Sequence, residues 1–245
     1  MAVPPEFTRA IRKADVRVVR EMLKARPDLA RAKSVTGWGP LFSCAAEPAR
    51  GQAAKARRLA EIMVLLVRAG GNPNDRLPPR RWSLPALFFA AGASGNLAVT
   101  KVLLARGAKP NDGESLYHSV EHRYWDCAEA LLRSGGRLNQ VHPVYLNTPL
   151  YFIARTMGAG RLRAHGEEIL TWLFRHKADP NVACGKERAT ALHAAAERVW
   201  PADLVRLLLR HGADRRIRNR AGWTPSEAAR RHGHPRLADF LAPTS

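Results

Sequence analysis

Two histidines one helical turn apart, His118 and His122, have the spacing at which a helix could present metal ligands. Zinc sites ordinarily take three or four protein ligands, and no third is evident, because Glu121 is expected to point elsewhere on the helix. The expectation is therefore a solvated surface pair, with no metal and no cofactor. Cys44, Cys127 and Cys184 are few, odd in number and far apart, with no Cys-x-x-Cys. That argues against a disulfide framework or a cysteine zinc site and fits a reducing cytosol. Cys44 falls at a small apolar core position, Cys127 in an outer helix and Cys184 in a loop. Lys186 and Arg188 lie close to Cys184 and could favour its thiolate. The chain lacks the phosphate-cradling Gly-x-x-x-x-Gly-Lys, the nucleophile turn Gly-x-Ser-x-Gly and the metalloprotease His-Glu-x-x-His. With no nucleophile beside a base, the protein is not expected to be an enzyme.

What the composition does offer is charge. The 245 residues include 40 Lys and Arg against 21 Asp and Glu, a net charge of +19. The excess is spread along the chain: +10 over residues 1–122 and +9 over residues 123–245. Such a field attracts acidic partners or nucleic acid. Arg outnumbers Lys by 32 to 8; with abundant Ala this suggests a GC-rich, bacterial-looking coding sequence. The longest apolar run, Ile62 to Val67, ends at Arg68, far short of the roughly 20 residues that span a bilayer. No secretory signal opens the chain, so a cytoplasmic protein away from membranes is expected.

Any element that positions these charges must come from repeated structure. One phrase recurs: paired bulky apolar residues, two variable residues, a Gly-Ala or variant, then Asn. It reads Leu65-Leu66 to Asn74, Leu103-Leu104 to Asn111, Leu131-Leu132 to Asn139, Leu173-Phe174 to Asn181, and Leu208-Leu209 to Asp214. The apolar pair ends an amphipathic helix, as Leu204, Leu207 and Leu208 show by their spacing. Gly supplies the left-handed helix exit, and Asn or Asp supports the turn that follows. A second phrase starts each unit: Thr148-Pro149-Leu150-Tyr151, Gly39-Pro40-Leu41-Phe42, Thr190-Ala191-Leu192-His193 and Thr224-Pro225-Ser226-Glu227. Thr caps a helix, and Pro is tolerated in its first turn.

Together the two phrases, at about 33 residues per copy, resemble the ankyrin repeat. The resemblance implies a single all-α domain over 1–245, a solenoid of six to seven helix–turn–helix repeats with a concave inner face. The repeats fall near 7–35, 36–74, 80–111, 113–139, 146–181, 188–216 and 220–241. Inserts at 48–58 and 157–166 are expected to be loops on the edge where paired helices turn, either part of a binding face or simply tolerated surface loops. By the same resemblance His193 is structural and bonds neighbouring backbone. His232 and His234 occupy a structural turn.

The resemblance also implies a non-enzymatic protein-interaction module, whose exposed inner-helix positions would be Ser43, Phe89, His118, Phe152 and Ala194. Trp82, after Arg80 and Arg81 in an extended loop, is the best single contact candidate. Trp38 and Trp223 are read as packing residues, and Trp125, Trp172 and Trp200 as core. The basic clusters add Arg161 and Arg163, and Arg215, Arg216 and Arg218, since Arg forks grip carboxylates and phosphates. The expected partner is an acidic protein, and the resemblance to bacterial ankyrin proteins implies a regulator, an effector or a toxin-neutralising partner without choosing among them. The alternative is non-specific binding to nucleic-acid phosphates, which would be steeply salt-dependent.

Overall fold

The computed structural model describes residues 2–77 and 83–243. Its contacts group into two compact units, Met1–Gly136 and Arg137–Ser245. Among the described residues the regular structure is helical, with isolated bridges Arg76–Pro85 and Cys184–Ala189 closing two hairpins.

The first unit pairs α1 (Pro5–Arg12) with α2 (Val16–Ala25), and α3 (Pro40–Ala45) with α4 (Ala53–Arg68). A π-helical segment (Phe88–Ala93) then pairs with α5 (Leu97–Ala105), and α6 (Ser115–Glu121) with α7 (Trp125–Arg133). First helices stack on first helices, from α1 through α3 and the π-helical segment to α6. Second helices stack likewise, from α2 through α4 and α5 to α7. The second unit repeats the plan with α8 (Pro149–Thr156) and α9 (Ala159–Arg175), α10 (Ala191–Glu197) and α11 (Ala202–Arg210), and α12 (Pro225–Arg231) and α13 (Pro235–Leu241). There α8 packs on α10 and α10 on α12, while α9 packs on α11.

The recurrent apolar phrase is the buried end of each second helix. Leu66, Leu103, Leu131, Leu173 and Leu208 are all fully buried, each worth about 1.5–3 kcal/mol on leaving water. Four residues on, the chain turns left-handed at Gly70, Gly107, Gly135 and Gly212, with φ between 86° and 98°. In the fourth copy Lys177 takes that conformation instead, at φ 63°.

The Asn of the phrase does more than support its own turn. Asn74 Nδ2 donates to the carbonyl of Gly107 (2.8 Å), and Lys109 N–H donates back to Asn74 Oδ1 (3.0 Å). Asn139 makes the same pair with Lys177 O (2.9 Å) and Asp179 N–H (2.8 Å). Asn181 does so with Gly212 O (2.7 Å) and Asp214 N–H (2.8 Å). Each amide thus clamps the next left-handed turn.

First-helix starts follow their sequence signals. Thr148 Oγ1 accepts from Tyr151 N–H, and Thr224 and Glu227 form a reciprocal cap at α12. Where the Thr-Pro signal is missing, Asp112 substitutes. Buried, it accepts from the backbone of Glu114 (2.9 Å) and Ser115 (2.7 Å) and from the Ser115 hydroxyl. Burial pushes its carboxyl pKa up, against the pull of these hydrogen bonds.

Two expectations are corrected. The 157–166 insert is not a loop: α9 begins at Ala159 and runs 17 residues. Arg and Ala are strong helix formers, and Gly166 serves packing rather than a turn. A Cβ there would lie 2.5 Å from Leu204 Cδ1 on α11. The 48–58 insert is loop only to Gln52; from Ala53 it is the first turns of α4, tied back by a Lys55–Glu47 ion pair at 2.6 Å.

Candidate partner-binding surface

Of the residues proposed to meet a partner, Arg80, Arg81 and Trp82 lie outside the described residues. Phe89 is half-buried in an aromatic cluster, its ring 5.1 Å from Trp38, 5.8 Å from Phe42 and 5.1 Å from Phe88. Trp38 Nε1–H donates to Ser43 Oγ (2.9 Å), which places Ser43 inside this packing rather than on the surface. Ala194, also expected at the surface, is buried between stacked first helices because its methyl is small enough for α8 and α12 to close over α10. Trp172 and Trp200 are core, and Trp125 is half-buried.

His118 is flanked by two carboxylates. Glu121 Oε2 lies 2.8 Å from Nδ1 and Glu114 Oε2 lies 3.2 Å from Nε2. The expectation that Glu121 points elsewhere is overturned, because residues three apart share a helix face. Burial acts to lower the His118 pKa, but hydrogen bonds and charge from Glu114 and Glu121 outweigh it and raise it to about 9. The His122 ring stacks 6.0 Å away, with Nδ1 2.8 Å from the carbonyl of Gly92.

In the second unit Phe152 is half-buried on α8, and Arg161 and Arg163 are exposed on the first turns of α9. Arg215 is partly structural: its guanidinium donates to Ala242 O (3.1 Å) and sits 5.8 Å from the Phe240 ring. Arg218 donates to Gly222 O (2.5 Å) and pairs with Glu227 (3.0 Å). Arg216 is exposed. Phe89 and His118 belong to the first unit, and Phe152 and the arginines at 161–163 and 215–218 to the second.

One grouping was not legible in the sequence. Arg50, Arg57 and Lys101, separated by up to 51 positions, come together around a cleft of about 710 Å³. Ala49, Ala53, Ala56, Leu97 and Ala98 provide its apolar walls, and among the described residues no acidic one lines it. Arg57 stands in a short basic run with Lys55 and Arg58, whereas Arg50 and Lys101 carry no local signal. Arg50 also sits over the Tyr124 ring at 5.1 Å.

The nucleophile candidates are quiet. Burial raises the pKa of Cys44, raises Cys127 to about 11 and raises Cys184. Cys184 is buried beside Thr148, 3.8 Å from Oγ1, so Lys186 and Arg188 do not generate a thiolate there. His193 is structural, as the resemblance implied. Fully buried, it receives Thr190 N–H at Nδ1 (3.2 Å) and donates from Nε2 to Trp223 O (2.9 Å). Among the described residues, no helix is long and apolar enough to cross a membrane.

Comparison with known proteins agrees with this architecture. Residues 157–245 match the family model described as ankyrin repeats in three copies. A sequence search of curated proteins finds no match. The crystal structure of the human ASB11 ankyrin repeat domain superposes with a TM-score of 0.68 at 20% identity, covering 99% of each chain.

Proposed function

The chain has the ankyrin-repeat fold, and on that basis we propose that it is a protein-interaction module whose partner presents an acidic surface. The coarse part of this reading, a binding protein, follows from the fold class. The acidic partner rests chiefly on the cleft around Arg50, Arg57 and Lys101, which combines apolar walls with cations alone. An acidic segment carrying a few apolar side chains fits that chemistry: the aliphatic parts lie against Ala53, Ala56 and Leu97, and carboxylates meet the guanidinium forks. The 40 cationic side chains exceed the 21 acidic ones by 19, so many cannot be neutralised within the chain. Arg161, Arg163 and Arg216 extend the same character over the second unit, and Arg80, Arg81 and Trp82 remain contact candidates.

A surface already folded before binding loses little conformational entropy on association, and a net positive field speeds encounter with an acidic partner. The test is affinity capture from host lysate, with and without nuclease, at two salt concentrations, using the native chain and an Arg57→Glu/Lys101→Glu variant. A discrete acidic protein that survives nuclease, and that the variant loses, supports the reading. Recovery of nucleic acid alone, released at the higher salt, points instead to phosphate binding and overturns it.

A further inference from the structure

Where α6 ends against the π-helical segment, His118, Glu121 and His122 each offer a ligand atom, all within 4.8 Å of one another. Positions i, i+3 and i+4 give one helix face three donors without help from a distant strand or loop. One nitrogen of each ring already has a partner outside the trio. His118 Nε2 lies 3.2 Å from Glu114 Oε2, and His122 Nδ1 lies 2.8 Å from Gly92 O. Metal-bound imidazoles characteristically donate their second N–H to a carboxylate or a backbone carbonyl, which fixes ring and tautomer.

The backbone is shaped to allow this. Gly92 approaches so closely that a Cβ there would sit 2.9 Å from His118 Cβ. It does so in a π-helical stretch, an irregularity found disproportionately at functional sites. Two carboxylates, Glu114 and Glu121, also offset locally the field of a chain of net charge +19 that would otherwise repel a dication.

We propose that His118 Nδ1, the Glu121 carboxylate and His122 Nε2 form a binding site for a divalent transition-metal ion of the zinc type, with Glu114 and the Gly92 carbonyl orienting the two imidazoles. Two nitrogens and one carboxylate suit zinc and its neighbours, whereas Mg²⁺ and Ca²⁺ take oxygen sets. Three protein ligands leave a fourth position for water or for a partner's side chain. Donors around tetrahedral zinc stand roughly 3.3–3.5 Å apart, given metal–ligand distances near 2.0–2.2 Å. On binding, the proton between His118 Nδ1 and Glu121 leaves to solvent, so affinity rises with pH. This site is independent of the acidic-partner reading.

The test uses tag-free, chelator-treated full-length protein. Zn²⁺ is titrated calorimetrically near neutral pH, and Co²⁺ is followed by visible absorption. The expected result is one equivalent per chain and a Co²⁺ spectrum typical of four-coordinate nitrogen and oxygen ligation. Glu121→Gln and His122→Ala should abolish both, and Glu114→Gln should weaken Zn²⁺ binding about tenfold. Circular dichroism checks that each variant remains folded, and the near-isosteric Glu121→Gln keeps the test decisive if His122→Ala does not. Absence of saturable binding in the native chain, or binding unchanged in Glu121→Gln and His122→Ala, overturns the proposal and leaves His118 as an imidazolium clasped between Glu114 and Glu121.

Discussion

Replacing His193 by Ala should destabilise the second unit by about 3–5 kcal/mol. The side chain is fully buried, and its two nitrogens serve two different elements. Nδ1 accepts from Thr190 N–H at the start of α10, and Nε2–H donates to the Trp223 carbonyl ahead of α12. Alanine orphans the buried Thr190 N–H, at about 1–3 kcal/mol, and removes one of two bonds to Trp223 O, which keeps Asn219 N–H (2.9 Å), at about 0.5–1.5 kcal/mol. The vacated ring volume adds roughly 1 kcal/mol. Urea unfolding followed by circular dichroism measures the total. Native-state hydrogen exchange locates it, with protection lost first in α10 and α12. A loss under about 1 kcal/mol would refute the reasoning, since water would then be replacing both bonds at no cost. The same residue gives a pH signature. Burial lowers the His193 pKa below its ordinary 6.5. Its contribution is therefore complete above 6.5 and is lost as pH falls from there toward the lower folded-state value, where the unfolded chain alone takes up the proton. The native chain should lose stability over that acid range more steeply than His193→Ala.

Two further outcomes concern the turns. Asn181→Ala removes the bonds to Gly212 O and Asp214 N–H. Two partly exposed hydrogen bonds should amount to about 1–2 kcal/mol in urea unfolding, and no change would mean that the clamp is incidental. Lys177→Gly relieves a left-handed φ of 63° at an exposed position where the other copies of the phrase carry Gly. It should raise stability by about 0.5–1 kcal/mol; a lower melting temperature would show that the Lys177 side chain contributes more than its backbone strain costs.

Repeat period, helix pairing and the glycine exits were readable because each depends on neighbours within a few positions. Leu208 and Gly212 announce a helix and its end in any context. The structural role of His193 was readable only through family resemblance, since its acceptor, Trp223 O, lies 30 residues away. Sequence reasoning failed where a local signal had two meanings. The glycines at 158, 160 and 166 were read as a loop, but Gly166 lies inside α9 at a close crossing with Leu204. Glu121 was set aside although i+3 is the same face as His118. Arg50 and Lys101 line one cleft because α4 packs on α5, and the repeat pattern does not give the path of the loop that carries Arg50 ahead of α4.

The amide clamps give the array a direction. Each Asn completes a turn about one repeat further along the chain, and the residue it completes carries the next Asn. In the second unit Asn139 closes on Lys177 and Asp179, and Asn181 then closes on Gly212 and Asp214. The position equivalent to Asn181 in the following copy is Arg216, a guanidinium that donates but cannot accept. A side chain that both gives and receives propagates the row, and one that only gives stops it. The spacing of Asn and Arg therefore works as punctuation: Arg216→Asn writes a joint onto which one more repeat could be grafted, whereas Asn181→Arg writes a stop inside the row.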